Sequence, residues 1–154
     1  MKAVIQRVTS ASVAVDGKIV GKCGNGYLVL LGAAEGDTEA DVEIIARKIS
    51  NLRVFCDEND KMNLSILDIG GEILAISQFT LLADVKKGNR PSFINALEPA
   101  SAEKLYELFC EKLIENGVQR VEKGIFGADM KVSLLNDGPV TIIYDTEIWR
   151  KNEN

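Results

Sequence analysis

Histidine is absent from the 154-residue sequence. Most serine and cysteine hydrolases use histidine as the general base that activates the nucleophile, so the sequence excludes that arrangement. Most catalytic zinc sites are excluded for the same reason, because they take histidine ligands. Any catalytic chemistry must then come from other side chains, from backbone groups or from the substrate itself.

Cysteine is scarce and widely spaced. Cys23, Cys56 and Cys110 are an odd number and form no Cys-x-x-Cys pair, so zinc-ribbon and thioredoxin-like sites are not indicated. We interpret all three as reduced, structural thiols. The acidic run 57–60 resembles part of a calcium loop but lacks the glycine at the sixth position and the closing glutamate, so we interpret it as a turn. Without a tight cluster of Asp and Glu, we expect neither a metal nor another cofactor.

Long apolar runs are also missing. No stretch approaches the roughly 18 apolar residues that cross a bilayer, and residues 1–7 lack the apolar core of a signal peptide. Apolar residues still make up 46% of the chain, which is enough for a core at this length. We therefore expect a cytoplasmic protein without membrane contact, with one domain over residues 1–150 and a frayed tail over residues 151–154.

The overall charge is acidic, with one local exception. A net charge of −5 argues against a nucleic-acid partner, because phosphate contacts need Lys and Arg. Lys86, Lys87 and Arg90 nevertheless crowd one short segment. This segment is either a solvated basic loop or a local site for phosphate groups.

Strand patterns dominate the sequence and are interrupted by two helical patterns. An Asp16-Gly17 pair between β-type runs predicts a hairpin, since both turn positions take a positive φ. One helix is predicted after Asp37 or Thr38, which can cap it, and another at Pro99, which suits a first helical turn. The order strands, helix, strands, helix, strands is not that of a doubly wound fold. It predicts an α+β domain with a curled, barrel-like, antiparallel-rich β-sheet and two main helices packed on it.

Two apolar segments are predicted to be central strands, and three more strands close the chain. The central strands cover residues 26–32 and 72–82, and the closing strands cover residues 119–123, 131–135 and 140–145. Between the last two strands, Asn136-Asp137-Gly138-Pro139 predicts a tight turn. About 5–6% of X-Pro bonds in folded proteins are cis, so the sequence leaves the isomer of the Gly138-Pro139 bond open.

The second central strand ends in the polar run Ser77-Gln78-Phe79-Thr80. On a strand, Gln78 and Thr80 share one face, so an amide and a hydroxyl would lie together on the floor of a polar pocket. A strand end that is merely polar is the alternative. Thr80 could act as a nucleophile only beside a base, and the sequence places none next to it, so we disfavour covalent catalysis through this residue.

Five segments occur in the order and at the spacing found in D-aminoacyl-tRNA deacylases. They are Ile5-Gln6-Arg7-Val8, Ser77-Gln78-Phe79-Thr80-Leu81, Arg90-Pro91-Ser92-Phe93, Phe126-Gly127-Ala128-Asp129-Met130 and Asn136-Asp137-Gly138-Pro139-Val140-Thr141. Each segment is weak alone, but the series resembles the family specifically, from Met1 to about Tyr144. Gly127 departs from the pattern, since many relatives have alanine there, and its effect on the pocket is left open.

The resemblance implies an esterase that separates a D-amino acid, or mischarged glycine, from the terminal adenosine of tRNA and rejects L-aminoacyl-tRNA. It implies a homodimer in which the Gly138-Pro139 turn, with a cis bond, enters the partner's pocket as a chirality filter held in orientation by Arg7. By the same resemblance the catalytic pocket comprises Ser77, Gln78, Thr80 and the backbone of Phe79, and the terminal adenosine lies against Phe126 and Met130.

The implied chemistry needs no strong nucleophile, because aminoacyl esters are already activated. Water would attack with help from the ribose 2′-hydroxyl, and backbone N–H groups near Phe79 and Thr80 would stabilise the oxyanion. Lys86, Lys87 and Arg90 then become candidates for binding acceptor-stem phosphates, which is our hypothesis and not a family signature. An esterase for a small metabolite and a non-catalytic tRNA- or protein-binding module are the rival interpretations. The preferred amino acid and tRNA, and any part of the Thr80 hydroxyl in the chemistry, are left open.

Overall fold

Strand β1 (Lys2–Val15) organises the sheet in the computed structural model, which describes residues 1–150. It pairs antiparallel with β2 (Lys18–Cys23), with β3 (Gly26–Gly32) and with β8 (Lys131–Asp145). Strand β6 (Glu72–Ser77) adds parallel to β3, and β7 (Arg120–Lys123) adds parallel to β6. The order is β2-β1-β3-β6-β7, with β8 on the other edge of β1. The predicted tail, residues 151–154, lies outside the described residues.

Two long helices accompany this sheet, as predicted. They are α1 (Glu39–Asn51) and α3 (Pro99–Glu115), and their buried faces join the main apolar core. The smaller elements are β4 (Arg53–Cys56), β5 (Met62–Ser65), α2 (Ile66–Ile69), a 3₁₀ turn (Phe79–Leu82) and α4 (Glu147–Arg150). The predicted α+β class with a barrel-like sheet is therefore confirmed. None of the helices in residues 1–150 is long and apolar enough to cross a membrane.

Local turn and cap chemistry follows the sequence. Asp16 and Gly17 both have positive φ, 50° and 78°, as the predicted hairpin requires. Thr38 is the N-cap of α1, and the Asp41 carboxylate accepts a hydrogen bond from the Thr38 N–H. Pro99 opens α3. These three predictions are confirmed because each depends only on residues close together in the chain.

The second central strand is shorter than predicted. It ends at Ser77, and the next residues form the 3₁₀ turn instead of continuing the strand. The parallel ladder with β3 runs out at the pair Leu31 and Ser77, and β7 pairs no further than Ala75. One more bond, from the Gln78 N–H to the Leu31 carbonyl, completes the contact. Without a neighbouring strand the backbone satisfies itself locally, so the predicted alternation of faces through Thr80 is wrong.

The predicted tight turn at residues 136–139 is also wrong. The segments before and after it pair with the same strand, β1, so the chain does not reverse. Asn136 lies opposite Val8 and Thr141 lies opposite Gln6, which leaves four residues of β8 opposite the single residue Arg7. The Asn136 side chain spans this bulge, since its Oδ1 accepts from the Val140 N–H at 2.8 Å. A bulge of this kind turns a segment outward without ending the strand.

The sheet curls until β2 approaches β7. The Lys22 N–H donates to the Glu122 carboxylate at 3.0 Å, across the seam between these strands. A Cβ built on Gly21 would lie 2.5 Å from the Lys123 carbonyl oxygen, which is closer than real Cβ contacts. Glycine at this position therefore permits the close approach that brings the two edges together.

Gly21→Ala should lower the free energy of unfolding by about 1–3 kcal/mol, because the added methyl group meets backbone that cannot rotate away. Gly24→Ala is the matched control. Its Cβ would meet only the flexible Glu72 side chain, at 3.4 Å, so its loss should be smaller. Urea unfolding of both variants measures the difference, and equal losses would show that the seam is not tightly packed.

Candidate functional site

A cavity of about 570 Å³ lies between the end of β6, the start of α3 and the segment that leads into β8. Its walls are mainly apolar. The polar end is formed where β6 stops. The lining residues are Ile76, Ser77, Gln78, Phe79, Phe93, Ala96, Leu97, Glu98, Pro99, Ala102, Phe126, Gly127, Ala128, Asp129, Met130 and Val132.

The predicted pocket residues are brought together, with one exception. Ser77, Gln78, Phe79, Phe126 and Met130 all line the cavity. Thr80 does not line it. It is exposed beside the opening, where its hydroxyl accepts a hydrogen bond from the Gln78 side-chain amide.

The 3₁₀ turn that follows β6 begins with two backbone donors, the N–H group of Phe79, which lines the cavity, and that of Thr80, the next residue. Phe79 and Thr80 are its first two residues, so their N–H groups have no acceptor within the turn. In residues 1–150 no other backbone carbonyl takes them. Two unused donors side by side are the chemical feature that an oxyanion requires.

Helix α3 fixes the end of β6 from behind. The Tyr106 hydroxyl, which is buried, donates to the Ala75 carbonyl at 2.7 Å. Burial raises the pKa of Tyr106 far above its ordinary value, so the phenol stays protonated and remains a donor. Its ring also packs against that of Phe126 in the cavity wall, with the ring centroids 6.2 Å apart. One side chain therefore holds both the strand end and an apolar wall.

The ionisable side chains at the cavity are poor general bases. Glu98 accepts hydrogen bonds from the Ser101 hydroxyl and from the Ser101 and Ala100 N–H groups, and these bonds lower its pKa. Asp129 is exposed and pairs with Lys131 at 3.2 Å. No cluster of three or more potential metal ligands occurs in the part of the chain that the structure describes.

The Gly138–Pro139 segment lies elsewhere, on the bulge of β8. Its peptide bond is cis, and both residues are exposed. Arg7 lies beneath the bulge, donating from Nε to the Asp137 carbonyl at 2.9 Å and from Nη1 to the Val54 carbonyl at 2.6 Å. Gly138 has a φ of 137°, and a Cβ there would lie 3.0 Å from the Val140 N and 3.1 Å from Arg7 Nη2, so a side chain at this position would be strained. Arg7 thus contacts the bulge through Asp137, and its role in orienting Gly138 and Pro139 stays a prediction.

The bulge does not reach the cavity of its own chain. Neither Gly138 nor Pro139 lines the cavity, although Val132, earlier on β8, does. Val132 lies four positions before Asn136, where the bulge starts, and this spacing corresponds to roughly 13 Å of extended strand. The two features that the sequence singled out are therefore on separate surfaces of one protomer.

The basic residues occupy a closed loop beside the cavity. Asp84 and Ser92 form an isolated bridge with N–H to carbonyl distances of 2.7 and 2.9 Å. Lys86, Lys87 and Arg90 lie between them, are exposed, and form no ion pair within residues 1–150.

Sequence reasoning missed the α3 side of the cavity. This wall is formed by Leu97, Pro99 and Ala102. In the sequence these residues indicate only the start of a helix. Phe93 was noted within a motif and received no role. In the structure its ring packs against that of Phe79, with centroids 5.1 Å apart. The sequence feature that could have indicated a role for Phe93 is its position as an aromatic residue next to a basic loop.

A family model described as D-Tyr-tRNA(Tyr) deacylase matches residues 4–145. The chain belongs to this family. The D-aminoacyl-tRNA deacylase of Thermosipho melanesiensis is 54% identical over 147 residues, which are 96% of this chain and 98% of that protein. The D-aminoacyl-tRNA deacylase of Clostridium beijerinckii is 57% identical over 147 residues, with the same coverage. The deacylase assignment and its enzyme class, a hydrolase acting on aminoacyl-tRNA, are thus confirmed.

Two solved structures share the fold of this chain. One described as a c-Myc DNA unwinding element binding protein has a TM-score of 0.89 and 47% identity, over 94% of this chain and 98% of its own. Another, described as a probable eukaryotic D-amino acid tRNA deacylase, has a TM-score of 0.78 at 18% identity, over 93% of this chain and 97% of its own. The second likeness concerns the fold alone.

Proposed function

We propose that the protein removes D-amino acids and mischarged glycine from tRNA by a mechanism that depends on backbone groups and on the RNA. The observation that carries this proposal is the cavity at the end of β6, where the neighbouring Phe79 and Thr80 N–H groups have no backbone acceptor within residues 1–150 and no Lys or Arg is among the lining residues. An activated aminoacyl ester can be hydrolysed by such a site, whereas an amide would need a stronger catalyst. A cytoplasmic location, where tRNA is charged, fits this substrate.

The ester is placed at the end of β6. Water attacks the carbonyl carbon, and the ribose 2′-hydroxyl of the terminal adenosine assists this attack. The developing oxyanion accepts hydrogen bonds from the Phe79 and Thr80 N–H groups, and one such donor contributes about 3–4 kcal/mol in enzymes that use it. The base of the adenosine occupies the apolar part of the cavity, against Phe126 and Met130.

The chirality filter is the bulge at Gly138–Pro139, positioned by Arg7. Selection by backbone atoms rejects an L side chain through steric exclusion while tolerating many D side chains. Glycine has no side chain to exclude, which accounts for its acceptance. Because the bulge does not reach its own cavity, we place it in the cavity of a second copy.

Strand β8 supports this homodimer. Among residues 1–150 it pairs with β1 alone, so its 15 residues leave one long edge of unpaired backbone. Its outward side chains include Leu135 and Ile143, which are 64% and 73% exposed. A long apolar edge favours association with another chain, and a second copy of the same strand would cover it.

The function is tested by comparing four substrates: D-tyrosyl-tRNA, glycyl-tRNA, L-tyrosyl-tRNA and D-tyrosine methyl ester. We expect turnover of the first two only. The filter should exclude L-tyrosyl-tRNA, and the methyl ester lacks the ribose hydroxyl that assists the attack. Rapid hydrolysis of the methyl ester would indicate a general esterase. Binding of tRNA without turnover would indicate a binding module, the role suggested by the name of the DNA unwinding element binding protein.

Thr80→Ala should reduce kcat for D-tyrosyl-tRNA by less than about tenfold. The Thr80 side chain holds the Gln78 amide through one hydrogen bond, worth about 0.5–1.5 kcal/mol, while the backbone donor is kept. Thr9→Ala, at an exposed position of β1, is the control for a general effect of losing a surface hydroxyl. A loss of about 100-fold or more with the fold intact would assign the hydroxyl a catalytic role.

Ile143→Glu should convert the dimer into a monomer, because it places charges on the apolar edge. The monomer should lose at least about tenfold in its preference for D- over L-tyrosyl-tRNA, since the filter comes from the partner. Sedimentation and paired assays measure both effects. Ile19→Glu makes the same substitution at an exposed position of β2 and should alter neither property. A monomer that still rejects the L-substrate would contradict the cross-subunit arrangement.

A further inference from the structure

We propose that Phe93, together with Phe79, forms a stacking platform at the rim of the cavity for the penultimate base of the tRNA 3′ end. The loop between Asp84 and Ser92 binds the phosphates of the same single strand. This inference rests on the proposed function and names the path by which the substrate reaches the cavity.

Two aromatic rings are exposed at the cavity mouth. Phe79 is 57% exposed and Phe93 is 37% exposed. Their centroids are 5.1 Å apart and their planes meet at 69°. In an edge-to-face pair the ring that contributes its edge keeps its faces free of the other ring. Exposed aromatic faces bind unpaired bases of any sequence, which suits a single-stranded RNA end.

The charges around the mouth give the RNA a direction. Glu98 and Asp129 line the side of the mouth formed by α3 and the segment before β8, and both repel phosphate. Phe93 packs against Phe79 and follows Ser92, which closes the base of the basic loop. A polyanion whose terminal adenosine occupies the cavity should therefore leave it across Phe93, towards Lys86 and Lys87.

The loop cations suit a phosphate partner. Lys86, Lys87 and Arg90 are exposed and form no ion pair with a carboxylate within residues 1–150. The Asp84 carboxylate is occupied locally, where it accepts from the Lys86 N–H at 3.0 Å. Aromatic faces beside unpaired cations are the usual composition of surfaces that bind single-stranded nucleic acid.

Phe93→Ala separates the platform from the cavity when two substrates are compared, D-tyrosyl-tRNA and D-tyrosyl-adenosine. Only the first has a penultimate base. We expect KM for the tRNA substrate to rise about 5- to 150-fold, the equivalent of roughly 1–3 kcal/mol for one stacked base. The rise for the adenosine substrate should be at least fivefold smaller. Phe93→Trp should restore the tRNA value, and Ile94→Ala, at the neighbouring and more exposed position, should leave it unchanged.

A second readout does not depend on turnover. A short RNA that ends in the tRNA sequence, with 2-aminopurine as its penultimate base, should lose fluorescence when the wild-type protein stacks it. Phe93→Ala should remove this quenching, and Lys86→Ala/Lys87→Ala should reduce the salt dependence of binding. Equal losses of both substrates in Phe93→Ala, or unchanged quenching, would overturn the platform. If the wild type hydrolysed neither substrate while still quenching the probe, the proposed function would fail and the platform would stand.

Discussion

The parallel pairing of β6 with β3 ends at Ser77, and the candidate site depends on that ending. While the ladder continues, β6 is paired with β3, and as far as Ala75 also with β7. Once it stops, the chain tightens into a 3₁₀ turn, and the first two N–H groups of that turn face no acceptor. Tyr106 fixes this point from behind through the Ala75 carbonyl. The candidate site therefore forms where the strand pairing of β6 ends. This explains how a chain without histidine can present polar groups suited to ester hydrolysis.

Arg7 is the corresponding anchor for the second feature. One guanidinium ties the bulge of β8 to the β4 strand, through the carbonyls of Asp137 and Val54. Because arginine donates from a rigid planar fork, the bond to Val54 fixes the guanidinium that holds the bulge through Asp137, which a lysine could not do. The bulge is thus held firmly while Gly138 and Pro139 remain exposed. In the proposed dimer this combination suits a group that must enter a neighbouring cavity without bending.

The sequence predicts the turns and helix caps that depend on neighbouring residues, but it does not predict the pairing of strands that are distant in the chain. The Asp16-Gly17 hairpin and the Thr38 cap depend on adjacent residues, and both were predicted correctly. The length of β6 depends on where β3 and β7 stop, which no pattern within residues 72–82 records. For the same reason the sequence predicts a turn at Gly138 instead of a bulge, since glycine and proline are typical of both. Only the pairing of both flanking segments with β1 distinguishes the two.

The acidic charge of the whole chain and a tRNA substrate are compatible because screening limits each charge to its surroundings. At physiological salt an exposed charge acts over about 8 Å, so the net charge of −5 is not felt uniformly. A phosphate beside Lys86 or Lys87 experiences the loop, whereas one beside Glu98 is repelled. The acidic remainder then discourages non-specific binding along the RNA, and a single basic loop next to the cavity favours the one orientation in which the 3′ end enters it. In the proposed function, the net negative charge of the rest of the chain serves selectivity as much as the loop serves affinity.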